Sequence, residues 1–368
     1  MTVKIGVLGA GVISDQYLTN LTTFPDLEVI FVADVDPDRA AAQARKYEIA
    51  SSGTVDELLK SSAEIIVNLT PPTVHLDTAI AAVRAGKHVW VEKPLTTDLA
   101  GAQILLTAAA EAGVEVGGAP DTFLGAGIQT ALRALAEGIA GELSSAHVAF
   151  ATAGPQGWHP SPEFLFADGG GPLMDVGPYY LTALVQIFGP ITSVTALGGR
   201  AQKQRTIGAG DRAGTVFPVV VDTTVSALYE FESGAHASAS FSFDSGIRRA
   251  TLDVTGERGT LAVPDPNRFS GEVSFHPSNG EETRVLEVAG TEITRGIGVV
   301  EMAQAIGAGR SPRASGRLAG HILEALLATL ESTRKNTRIE LQSTAPMVSP
   351  LPADWNPQLA TALKLTNK

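Results

Sequence analysis

A chain of 368 residues is long enough for two domains with cores of their own and too long for one ordinary core. The formal net charge of −12, with no stretch joining clustered Lys/Arg to aromatics, argues against a nucleic-acid or anionic-membrane partner. With no cysteine there is no disulfide, thiolate catalysis or Cys-ligated zinc. The opening MTVKIGVLGAG reads directly into a strand without a leader, and the apolar stretch Ala100–Ala110 is too short to span a bilayer, so a cytoplasmic protein is expected.

Up to about Ala119, short apolar runs alternate with helical patterns, the signature of βαβ units and a parallel sheet. Strands are expected at Lys4–Leu8, Glu28–Ala33, Ile65–Leu69, His88–Val91 and Glu115–Gly117, and helices at Val12–Thr22, Pro37–Tyr47, Thr54–Lys60, Val74–Ala85 and Leu99–Ala112. Pro37 suits a first helical position and Asp36 the cap before it, while Gly86 and Gly113 suit helix stops.

The first strand runs into Gly9-Ala10-Gly11-Val12-Ile13-Ser14, placed as a dinucleotide fingerprint requires. Gly9 permits the tight turn, and Gly11 lets the backbone approach a pyrophosphate seated on the amides of Val12 and Ile13. Ser14 stands where a third glycine is usual and is still small. Asp34, ending the second strand, would accept hydrogen bonds from ribose hydroxyls and repel a 2′-phosphate, which favours NAD. Arg39 leaves NADP open, because a nearby arginine accommodates that phosphate. Thr70-Pro71-Pro72 fixes an extended loop beside the cofactor, followed by His75, which points towards the nicotinamide half or is simply a polar residue of a first helical turn.

Glu92-Lys93-Pro94 closes the His88–Val91 strand and is the most telling feature of the chain. Lys93 would lie at the carboxyl edge of a parallel sheet, where such folds bind ligands. Beside a positively charged oxidised nicotinamide, its ammonium would be destabilised enough to exchange a proton near neutral pH.

Beyond Gly117 the pattern changes. A helix at Gly127–Glu137 leads into β-rich sequence, with a hairpin of Thr223–Phe231 and Ala235–Phe243 and strands at Thr251–Thr255, Thr260–Val263, Glu272–Phe275 and Arg284–Val288. Helices near Val299–Ala308 and Arg317–Ser332 follow, and the tail from Thr344 is Pro-rich. An α/β Rossmann domain over residues 1–121 is therefore expected, with an α+β domain over 122–368 built on a large, mostly antiparallel open sheet. The open face of that sheet points to a homodimer or homotetramer.

Within this second part, Gly169-Gly170-Gly171-Pro172 precedes Asp175, Tyr179 and Tyr180. Three glycines would allow close approach of a ligand, and a helix from Pro172 sets Asp175 and Tyr179 one turn apart on one face. Pro178 would kink that helix or mark its start. Trp158, in the loop Gly157-Trp158-His159-Pro160, offers a ring to stack on a sugar or plugs an interface between domains. The seven histidines show no metal-ligand spacing.

Gly9-x-Gly11, Asp34, Thr70-Pro71, Glu92-Lys93-Pro94 and the Asp175/Tyr179 block together resemble the Gfo/Idh/MocA oxidoreductases, as do Gly259-Thr260-Leu261 and His321-Ile322-Leu323-Glu324. The resemblance implies hydride transfer between NAD(P) and a ring hydroxyl or carbonyl of a sugar or polyol. It places the catalytic lysine on Lys93 and the second-domain acid on Asp175. Many members carry histidine where this chain has Tyr179, so it looks more like the glucose–fructose oxidoreductase and dihydrodiol dehydrogenase branch than the inositol dehydrogenases. Cofactor contacts are expected from Gly9, Gly11, Val12, Ile13, Asp34, Arg39, Thr70, Pro71, His75 and Glu92, and substrate contacts from Lys93, Trp158, His159, Asp175 and Tyr179. Two other outcomes fit the same residues: cleavage of a glycosidic bond through transient oxidation, and a non-catalytic NAD(H)-binding sensor.

Overall fold

The protein is described here by a computed structural model covering residues 2–361. Its first parallel sheet is assembled from β1 (Val3–Leu8), α1 (Val12–Leu21), β2 (Leu27–Ala33), α2 (Pro37–Lys46), β3 (Ser51–Gly53), α3 (Val55–Lys60), β4 (Ile65–Asn68), α4 (His75–Arg84), β5 (His88–Val91), α5 (Leu99–Ala112) and β6 (Val116–Gly118). The strand order is β3-β2-β1-β4-β5-β6 and every pairing is parallel. Chain order therefore reverses between β1 and β4, the switch point at which open α/β sheets leave a crevice. β4 reads Ile-Ile-Val-Asn and is buried throughout, as a strand covered on both faces must be.

The helix ends are set by local chemistry. Asp36 accepts hydrogen bonds from the Asp38 and Arg39 amides with Pro37 in the first turn, Thr54 and Glu57 form a capping box, and Gly113 closes α5 in a left-handed conformation. Each such cap contributes about 1 kcal/mol. The short β3 is an addition to the expected set.

The rest of the chain forms α6 (Ala126–Ala136), β7 (Leu143–Ala151), α7 (Pro172–Phe188), β8 (Ile191–Gly199), β9 (Gln204–Thr206), β10 (Val216–Pro218), β11 (Thr224–Phe231), β12 (His236–Ser242), β13 (Arg249–Gly256), β14 (Gly259–Val263), β15 (Val273–Pro277), β16 (Arg284–Leu286), α8 (Ile297–Gly307), α9 (Gly316–Lys335) and β17 (Ile339–Glu340). Nine strands join in the order β16-β15-β14-β13-β7-β12-β11-β8-β17. All neighbours are antiparallel except β7 and β12. This is the expected large, mostly antiparallel sheet. β11 shows why one face is covered: Val225, Ala227, Tyr229 and Phe231 are buried, while Ser226, Leu228 and Glu230 face solvent. Helix α7 packs on the buried side against β7, β11 and β12.

The chain divides into two compact units. One holds the chain to Ala126 together with Ala289–Leu323 and the segment from Leu351, and the other holds Gly127–Val288 and Glu324–Pro350. The cut expected at residue 121/122 lies near the end of the first segment, but α8 and the segment from Leu351 join the Rossmann unit instead of the second one. Among the described residues, no helix is long and apolar enough to cross a membrane.

Candidate active site

Parallel register aligns the expected cofactor residues along one edge. Leu8 pairs with Ala33 on one side and Asn68 on the other, and Asn68 pairs with Val91. The residues that follow these strand ends are Gly9, Asp34, Leu69-Thr70 and Glu92-Lys93. Backbone hydrogen bonds carry the alignment one step further: Gly9 N–H donates to Ala33 O at 2.8 Å, Leu69 N–H to Leu8 O at 2.8 Å, and Glu92 N–H to Asn68 O at 3.0 Å.

Gly9 has φ +101°, and a Cβ built there would sit 2.8 Å from the backbone carbon and oxygen of Leu69. The turn therefore demands glycine for both conformation and space. Gly11 differs: a Cβ there would meet nothing within 4 Å, so the room above the start of α1 is open. It caps α1 without a side-chain hydrogen bond, and the opening amides, Val12 and Ile13 among them, have no acceptor inside the helix. Ser14 is buried, donates to Gly11 O at 2.6 Å and accepts from Gln43 at 2.8 Å.

Asp34 is buried and fixed from two sides. Its Oδ2 accepts the Ala10 amide at 2.7 Å and its Oδ1 the Asp36 amide at 2.9 Å. Arg39 lies 3.8 Å from Asp34 and 3.5 Å from Asp36, so its charge is shared between two carboxylates. Thr70 is half-buried and donates its hydroxyl to Asn68 Oδ1 at 2.7 Å, and Pro71 is exposed beside it. His75 is buried, with Nδ1 2.7 Å from Pro94 O and Nε2 2.7 Å from Thr70 O. Its ring thus braces the Thr70 loop against the segment just after Lys93.

Lys93 is half-buried. Its own amide donates to Glu92 Oε2 at 2.8 Å, and the other oxygen, Oε1, accepts the Tyr17 hydroxyl at 2.7 Å. Glu92 is thereby committed to protein partners. Trp90 Nε1 donates to the same Tyr17 hydroxyl at 3.1 Å. Arg295 Nη1 stands 3.9 Å from Glu92 and 3.8 Å from Asp121, distances of charge attraction and not of hydrogen bonding. Asp121 Oδ2 also accepts the amides of Gly296 and Gly298 at 2.9 and 3.2 Å. Burial pushes the Asp121 carboxyl above its usual range, opposed by Arg295 and those amides. Burial, then the charges of Glu92 and Asp121, holds the Tyr17 phenol well above its ordinary value. Tyr17, Asp121 and Arg295 have no local sequence signal, because their partners are far away along the chain.

In the second unit α7 begins at Pro172, as expected, and continues through Pro178 to Phe188, so Pro178 does not start it. Asp175 is half-buried and Tyr179 buried, one turn apart. Tyr180, also buried, donates its hydroxyl to Asp265 at 3.0 Å, and burial first and Asp265 second raise its phenol strongly. Of the three preceding glycines, Gly169 leaves open space, while a Cβ at Gly170 would lie 2.7 Å from the Leu165 backbone and one at Gly171 3.0 Å from Asp222 O. Trp158 is 69% exposed, and its ring stands edge-on to His159, which does the same to Phe164. His159 Nδ1 accepts the Ser161 amide at 2.9 Å. No cluster of three metal-ligating side chains occurs among the described residues.

The Rossmann unit fits a dinucleotide on its own geometry: open space over Gly11, unpartnered amides at the start of α1, and a buried carboxylate at the end of β2. Comparison with known proteins agrees. Residues 3–118 match the model of an oxidoreductase family with an NAD-binding Rossmann fold, and residues 128–262 match the GFO/IDH/MocA C-terminal domain. The trans-1,2-dihydrobenzene-1,2-diol dehydrogenase of Bos taurus is 27% identical over 270 residues, covering 72% of this chain and 75% of its own. The 1,5-anhydro-D-fructose reductase of Ensifer adhaerens is 28% identical over 295 residues, covering 77% and 83%. The structure of a levoglucosan dehydrogenase with NADH and levoglucosan superposes with a TM-score of 0.80 at 19% identity, over 95% of this chain and 100% of that one, a likeness of fold.

Proposed function

The chain belongs to the Gfo/Idh/MocA oxidoreductases, with the NAD-binding Rossmann fold of that family, and from this we propose an NAD(P)-dependent dehydrogenase or reductase acting on a ring hydroxyl or carbonyl of a sugar or polyol. The observation that carries the proposal is the sheet edge, where one register brings Gly9, Asp34 and Lys93 out at the reversal of strand order. When bound, NAD supplies a hydride acceptor at nicotinamide C4. Lys93 takes the hydroxyl proton in oxidation and returns it in reduction, and Tyr179 is the second acid/base group of the proposal. Asp175 is proposed to orient the substrate, and Trp158 and His159 to offer ring faces and edges to a sugar. The sugar-acting names among the relatives, a reductase of 1,5-anhydro-D-fructose and a dehydrogenase of levoglucosan, support the substrate class.

Gly9, Gly11, Val12 and Ile13 would hold the pyrophosphate, Asp34 the adenosine ribose, and Thr70, Pro71, His75 and Glu92 shape the loops on the nicotinamide side. The Asp34 charge, and the sharing of Arg39 between Asp34 and Asp36, support NAD over NADP. Asp34→Ala is expected to lower the ratio of NAD to NADP affinity by roughly 10- to 100-fold, the worth of a charged hydrogen bond. Titration of NADH and NADPH fluorescence against folded protein checks this, and an unchanged ratio rejects the assignment. The open sheet face, with Leu197 and Leu228 exposed, supports a homo-oligomer.

The deciding experiment incubates the protein with NAD and a panel of pyranoses, anhydrosugars and cyclitols. Accumulation of NADH with a sugar is the expected result. Release of nitrophenol from nitrophenyl glycosides without net NADH would instead establish redox-assisted glycoside cleavage. Tight NADH binding without turnover of any kind would establish a sensor.

A further inference from the structure

Behind Lys93 lies a chain of buried donors and acceptors whose direction the geometry fixes. An indole N–H can only donate, so at 3.1 Å Trp90 gives its proton to the Tyr17 oxygen. The Tyr17 hydroxyl is then turned to donate to Glu92 Oε1 at 2.7 Å. Glu92 Oε2 receives the amide of Lys93 at 2.8 Å. Tyr17 and Trp90 are fully buried and fill the interior beneath the sheet edge, so neither reaches a ligand. Arg295 approaches Glu92 Oε1, the oxygen that accepts from Tyr17, at 3.9 Å, and is held by the turn whose Gly296 amide binds Asp121.

We infer that Tyr17 is a positioning residue for Lys93, acting through Glu92. The inference rests on the proposal that Lys93 moves the proton, and it adds a reason for the glutamate that precedes the lysine. Glu92 grips the lysine backbone, Tyr17 and Arg295 hold Glu92, and Trp90 orients Tyr17. A side chain on a peptide gripped in this way departs from a fixed origin, and small displacements at a reacting centre cost up to about 100-fold in rate.

The test uses Tyr17→Phe, Glu92→Gln and the double variant. Phenylalanine keeps the packed ring and removes only the hydroxyl. With a sugar that gives turnover, Tyr17→Phe should lower kcat at least about 10-fold with KM and NADH affinity within about twofold. The double variant should be no slower than the slower single one, because both changes break one linkage. A second readout is independent of activity. Trace acylation with acetic anhydride, read by mass spectrometry as Lys93 relative to the exposed Lys60, should change at least about threefold in Tyr17→Phe and equally in Glu92→Gln. Unchanged Lys93 labelling in folded Tyr17→Phe, or effects of the two changes that add independently, would overturn the inference. If Tyr17→Phe fails to fold, Glu92→Gln carries the same labelling comparison. Absence of turnover in the unaltered protein would sink the redox proposal alone, since labelling still decides the role of Tyr17.

Discussion

Lys93→Met is expected to reduce turnover at least about 1,000-fold while NADH binds as before, as removal of the main proton-transfer group from an active site does. Methionine keeps an unbranched, apolar stem of the same length, with sulfur in place of one methylene, and removes the ammonium. Lys93 emerges two residues after β5 at the sheet edge, and its amide stays bound to Glu92 whatever the side chain. The fold and the cofactor seat therefore survive the change, and the loss falls on kcat. Steady-state rates with the best sugar, beside NADH fluorescence titration, separate the two. A variant as active as the parent would remove Lys93 from the reaction. Tyr179→Phe should show a smaller fall than Lys93→Met.

Gly9→Ala and Gly11→Ala should part company, although both lie in one three-residue turn. At position 9 the new methyl meets the Leu69 backbone at 2.8 Å in a conformation, φ +101°, that side chains resist. Strain of about 1–3 kcal/mol comes from the backbone angle alone. The clash adds to it, because the obstacle is the main chain just after β4 and not a movable side chain. Gly9→Ala should lose stability, measured as a lower midpoint in urea, and NADH affinity together. At Gly11 the backbone is ordinary, φ −77°, and no protein atom stands within 4 Å of the new carbon. Gly11→Ala should unfold like the parent and still bind NADH at least about 10-fold more weakly, since the methyl occupies room that a pyrophosphate needs. Equal NADH affinity in Gly11→Ala would place the dinucleotide elsewhere.

Much of the Rossmann unit was legible because its signals are local. Pro37 and Asp36 mark a helix start wherever they occur, and apolar runs such as Ile65–Val67 cannot be left exposed. Asp34 and Lys93 were legible for the same reason, one being the first and the other the second residue after a recognisable strand. β7 and β8 escaped, since Leu-Ser-Ser-Ala-His and Ile-Thr-Ser-Val-Thr are too small and polar to announce strands, and neighbours in the sheet decide them. Within the triple glycine, the crowding at Gly170 and Gly171 comes from the Leu165 and Asp222 backbones, which sequence spacing does not reveal, while Gly169 stays open. Tyr17, Asp121 and Arg295 were invisible because an ion network spread along the chain has no periodicity to read.

The return of Ala289–Leu323 to the Rossmann unit has a consequence for biosynthesis. A nascent chain that has just completed β6 already possesses every strand of its nucleotide fold. It lacks the Gly296 and Gly298 amides that satisfy Asp121, and the guanidinium facing Glu92. An excised fragment stopping at Ala126 would leave the Asp121 carboxylate without those donors and Trp90 without the Gly298 backbone packed on it. The first-synthesised third of the chain thus completes these contacts only after most of the polypeptide has left the ribosome.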